Sequence, residues 1–111
     1  MNAPIDLDHL NRYVFGDAAL LAEILGIFRE QAGAVAGRMD PAMDAEAWRL
    51  AAHTLKGAAR GVGAWALGDA AEHAEALAGA AAEERATALR SIVDLAASAA
   101  DYASDLIGRA A

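Results

Sequence analysis

Residues 45–63 read AEAWRLAAHTLKGAARGVG, and the whole stretch keeps a helical period. Successive residues of an α-helix turn by about 100°, so sequence spacing converts to angle. With Trp48 at the origin, Ala51, Ala52, Leu55, Ala59 and Val62 cluster around roughly 340° and form one buried stripe. His53 falls on the other side, at about 140°. Arg49, Lys56 and Arg60 fall at about 100°, 80° and 120°, with Gly57 at about 180° and Leu50 at about 200°. The stretch therefore reads as one amphipathic helix, capped by Asp44 and closed by the corner Gly61-Val62-Gly63. It buries Trp48 and turns a histidine, three cations and a glycine to water.

The same period extends outward in both directions. Asp6 to about Phe15 reads as a short helix, with Leu10, Tyr13 and Val14 available for one face, and Gly16-Asp17 is a stop followed by an N-cap. From Ala18 to Met39, apolar residues recur at Leu21, Ile24, Leu25, Phe28, Ala32, Val35 and Met39, before Asp40-Pro41 ends the segment. A fourth helix from about Ala64 to Ala78 buries Leu67, Ala70, Ala71, Ala74 and Leu77 and stops at Gly79. A fifth starts near Glu83-Glu84, acids suited to a helix N-terminus, and carries the stripe Leu89, Ile92, Val93, Ala96, Ala99, Ala103 and Leu106 to Gly108-Arg109. Every connection is short, so consecutive long helices are expected to lie antiparallel. The expectation is an all-α fold: an antiparallel up-down-up-down four-helix bundle, capped at one end by a short N-terminal helix, in a single domain over residues 1–111.

Composition agrees. Thirty-three of the 111 residues are alanine, against four Val, five Ile and two Thr, which favours helix over strand. Alanine-lined helices bury little area each, so they must approach closely. The absence of cysteine excludes a disulfide scaffold, thiolate zinc sites and cysteine nucleophiles. A net charge of −7 argues against nucleic acid as a partner. No apolar run approaches the roughly 18 residues that would span a bilayer, so no membrane partner is expected. Met1–Asp6 lacks the basic and apolar regions of a secretory signal. These features point to a small cytoplasmic domain, and the lack of a large spare apolar stripe favours a monomer.

The polar face of the third helix is suited to one kind of chemistry. An exposed imidazole is substantially neutral at pH 7, leaving a ring nitrogen free to attack an electrophile. Nearby cations disfavour the imidazolium and stabilise an arriving phosphoryl group. Gly57, one turn along, removes a side chain where a bulky group must fit, although glycine inside an exposed helix costs roughly 1 kcal/mol relative to alanine. The plain alternative is a surface histidine on a solvated basic face.

Ala52-His53-Thr54-Leu55-Lys56-Gly57-Ala58-Ala59, followed by Gly63, Leu67 and Glu75, resembles the signature of histidine-containing phosphotransfer (HPt) domains. The resemblance runs over nearly the whole chain, from the short leading helix to the two closing ones. It implies a carrier without kinase activity of its own: His53 takes a phosphoryl group from a receiver-domain aspartate, holds it on Nε2 and passes it to another receiver. The partners implied are receiver domains of a hybrid histidine kinase and of a response regulator. No cofactor is expected on this chain, because Mg²⁺ belongs to the receiver's acidic pocket. Lys56 matches the lysine that stabilises the phosphohistidine, with Arg60 beside it, and Gly57 the residue that leaves room. Ala58 departs from the family, where many members carry Ser. Glu75, at a position often Gln or Glu, can accept the Nδ1 proton and so leave Nε2 nucleophilic. Leu50, Arg49, Leu10 and Ile27 are the residues expected to form a docking rim.

Other signals carry less. Gly61-Val62-Gly63-Ala64-Trp65-Ala66 fits a loose dinucleotide-binding pattern but follows a helix rather than a strand. Asp69 and His73 stand one turn apart, yet no second cluster completes a metal site, and none is expected. No nucleotide-binding loop is present. A different reading of the same face, a helical adaptor that docks a receiver or kinase without being phosphorylated, gives Gly57 no purpose. A dimeric kinase-like scaffold would need a second domain.

Overall fold

Aspartates start three of the helices. Asp6, Asp17 and Asp44 each adopt extended backbone, and their carboxylates accept the N–H three residues on, from His9 (3.1 Å), Leu20 (3.1 Å) and Ala47 (2.8 Å). A computed structural model of the chain describes residues 3–110. Met1, Asn2 and Ala111, the edges of the 1–111 domain and part of the segment read as carrying no signal, lie outside the described residues. The elements are α1 (Leu7–Val14), α2 (Ala18–Arg38), α3 (Ala45–Val62), α4 (Trp65–Ala76) and α5 (Ala82–Ala110), all helical. No helix among the described residues is long and apolar enough to cross a membrane.

Four helices close a ring. α2 packs on α3 and α5, α4 packs on α3 and α5, and α1 lies against α2 and α3. The body measures 44 × 24 × 19 Å. At about 1.5 Å of rise per residue, α5 spans the long axis alone. The core's largest side chain is Trp48, and Leu25, Leu55, Leu67 and Ile92 are buried with it, as are the fully buried alanines at 32, 52, 59, 71, 74 and 103. Those alanines let the helix axes close in.

Two local devices fix the ends. At one, Gly63 takes a left-handed conformation (φ 82°) to cap α3, and a Cβ there would meet Asp6 at 3.0 Å. The Asp6 N–H donates to the Gly63 carbonyl (2.9 Å), tying the N-terminal segment to the α3–α4 corner. At the other, buried Arg85 donates to the carbonyls of Pro41 (3.2 Å), Met43 (2.8 Å), Leu77 (3.3 Å) and Ala78, while its guanidinium lies over the Trp48 ring. One residue thus gathers the α2–α3 turn, the end of α4 and the start of α5. The sequence pattern gave no sign of it, because an isolated arginine beside Glu84 reads as a solvated charge.

Three expectations about facing need correction. Leu10 is 1% exposed, so it belongs to the core and forms no docking rim. α1 seals the end of the bundle with Leu10 and Val14, one turn apart, and leaves Tyr13 outside. Val93 is half exposed because the adjacent Ile92 takes the inward position on α5. Leu21, Ile24, Ala70, Leu77 and Leu89 sit at the core's margin.

Candidate functional site

The α3–α4 seam sets the site. The Trp48 indole Nε1 donates to the buried Ala74 carbonyl (2.7 Å), which fixes the register of α4 against α3. The next residue, Glu75, then stands opposite His53 and Lys56. Glu75 Oε2 lies 3.0 Å from His53 Nδ1, and Oε1 accepts from Lys56 Nζ at 2.6 Å. An ionised carboxylate only accepts, so Nδ1 carries the proton in this contact. The Lys56 hydrogen bond above all holds the Glu75 carboxyl below the ordinary glutamate range; desolvation opposes it, and the His53 hydrogen bond adds a smaller lowering. His53 is 59% exposed, and no described residue hydrogen-bonds its Nε2. One nitrogen is held and the other faces solvent.

Lys56 is the chain's single lysine, and like Glu75 it is mostly covered. Gly57 is exposed, and a Cβ built on it meets nothing within 4 Å. Packing within the chain therefore does not require glycine there. Leu50 and Ile27 are both exposed, as a rim needs, and Ile27 borders a shallow groove with Ile24, Gln31, Ala58 and Gly61 between α2 and α3.

The two arginines do not ring the histidine as free charges. Arg49 is engaged by Glu46 on its own helix, with contacts of 3.1 and 2.6 Å. Arg60 reaches across to α4, donating to Glu72 (3.1 Å) and lying 3.6 Å from Asp69. A helical wheel places these cations on the correct face but says nothing of the acids on the neighbouring helix. Asp69, Glu72 and Glu75 fall at i, i+3 and i+6 along α4, a spacing that marks one acidic stripe. That stripe was the unread signal.

The remaining histidines stand elsewhere in function. His9 packs edge-on against Tyr13 and Trp65 (centroids 5.1 and 4.8 Å), and the Trp65 indole donates to Asp6 (3.0 Å), so this cluster fastens α1. His73 and Asp69 line a groove between α4 and α5. Among the described residues, no group of three or more His, Cys, Asp or Glu is placed to hold a metal ion.

Among known proteins, the model of the Hpt domain family matches residues 23–103. No curated protein and no solved structure matches significantly. The matched segment takes in most of α2, all of α3 and α4 and the larger part of α5, so it contains His53, Lys56, Gly57 and Glu75 together. With well over half of its length in one continuous match, laid on an all-helical bundle, the chain belongs to the Hpt domain family.

Proposed function

We propose that this protein is a histidine phosphotransfer carrier, moving a phosphoryl group on His53 between receiver-domain aspartates of a hybrid histidine kinase and a response regulator. The observation that carries the reading is the 3.0 Å contact between Nδ1 and Glu75, which leaves the Nε2 lone pair directed at solvent. Nε2 attacks the phosphorus of an aspartyl phosphate in line. The P–O bond breaks toward the receiver carboxylate, and the P–N bond forms while Nδ1 keeps its proton. The ring gains positive charge, and the Glu75 carboxylate lies against it. Lys56 offers positive charge to the phosphoryl oxygens, and Gly57 leaves the space that they occupy. Mg²⁺ belongs to the receiver's pocket in this scheme, and the carrier has no kinase activity of its own.

Leu50, Ile27 and Arg49 frame the approach of the receiver. A cytoplasmic monomer suits this task, as does an up-down-up-down course of α2–α5, which the short turns and the convergence of three segments on Arg85 support. Incubation with a phosphorylated receiver tests the proposal. Wild-type protein should take up label that His53→Gln does not, and equal labelling would reject it.

A further inference from the structure

The charges on the outer face of α3 are already spent. Glu46 holds Arg49, Glu75 holds Lys56, and Glu72 with Asp69 holds Arg60, four carboxylates for three cations. Arg60 is held by shape as well as charge. Its side chain crosses α4 where Gly68 has no Cβ; one built there would come within 2.9 Å of the Arg60 Cγ. Residue 60 lies two turns from His53 on the same helical face, about 10 Å of rise. A guanidinium released from α4 can swing back along that face, and one held on α4 cannot.

Resting on the carrier reading above, we propose that Asp69 and Glu72 are positioning residues of the phosphotransfer site that act through Arg60. They hold its guanidinium on α4 and leave the phosphohistidine short of counter-charge, so that the group passes on rather than accumulates. In onward transfer the P–Nε2 bond breaks, its electron pair returns to the ring, and a receiver carboxylate oxygen forms the new O–P bond. A phosphoryl group with two negative charges thus sits on an acidic protein whose arginine two turns along the same face is withheld. The partner's own positive charge then favours departure.

Phosphoramidate tests this without any receiver. Nε2 forms a P–N bond as the donor's P–N bond breaks and ammonia leaves with the pair, so a fixed phosphoramidate–ammonia mixture sets a standing occupancy readable by ³¹P NMR. His53→Gln gives the background from His9 and His73. Asp69 and Glu72 are exposed, so the isosteric pair D69N/E72Q retains the fold, checked by an unchanged melting curve. That pair should raise the ratio of phosphorylated to free His53 by about three- to tenfold, the scale of one exposed charge pair against a dianion. Adding R60Q should remove the gain, whereas R60Q alone should change the ratio by less than about twofold. An unchanged ratio in D69N/E72Q overturns the proposal, as does a gain that survives R60Q, since that would be through-space repulsion alone. Failure to label His53 in the wild type would instead overturn the carrier reading, and this inference with it.

Discussion

Gly57 allows a prediction in which stability and transfer move in opposite directions. It lies well inside α3, where glycine costs about 1 kcal/mol relative to alanine. Nothing within 4 Å of the added Cβ offsets the gain from replacing it. Gly57→Ala should therefore stabilise the protein by about 1 kcal/mol, which for a domain of this size raises Tm by about 4 °C. Gly57→Leu should stabilise it almost as much, because leucine ranks just below alanine in a helix. Helical side chains lean toward the N-terminus, so a leucine there tilts over His53, one turn back. Transfer should fall little in the alanine variant and by more than about tenfold in the leucine variant. Urea or thermal unfolding measures the first quantity, and single-turnover transfer from a phosphorylated receiver the second. A leucine variant that melts higher and still accepts phosphoryl at the wild-type rate would refute the argument that the glycine is kept for access. A destabilised alanine variant would show that the glycine serves packing after all.

Two further outcomes follow from the contacts. Arg85→Met leaves the part-buried carbonyls of Leu77, Ala78, Pro41 and Met43 without their donor and should cost about 3–5 kcal/mol. Arg85→Lys should recover less than half of that, since an ammonium cannot span segments that a guanidinium fork joins; chemical denaturation measures both, and an unchanged midpoint for the methionine variant contradicts the clamp. Because the Glu75 carboxyl is held below its ordinary value of 4.5, the stability it contributes is fully present above that value and is lost as pH falls through the lower folded one. The stability gap between wild type and Glu75→Gln should thus stay constant at higher pH and close in the acid range. A gap that widened toward acid would contradict the Lys56–Glu75–His53 contacts.

The fold was legible because its signals are local. Asp17 and Asp44 cap helices through bonds to residues three positions on, and Gly63 turns a corner that only a left-handed residue can turn. Periodicity found the inner face of α3, and with it the exposure of His53. What escaped depends on neighbours. Leu10 and Tyr13 both fit an apolar face of α1, and only the way the helix seats on the bundle decides that Leu10 goes in. Arg85 satisfies carbonyls far away in sequence, so no spacing rule reveals it. The pairing of Arg60 with Asp69 and Glu72 joins two helices, and a wheel drawn for one helix omits the other.

The central claim is that Glu75 occupies one ring nitrogen of His53 and leaves the other to react. Phosphorylating ¹⁵N-labelled protein and reading the ¹⁵N–³¹P coupling by NMR identifies which nitrogen carries phosphorus. The account predicts phosphorus on Nε2 of His53, with Nδ1 still protonated and no coupling in His53→Gln. Phosphorus on Nδ1, or on another histidine at equal level, would contradict it.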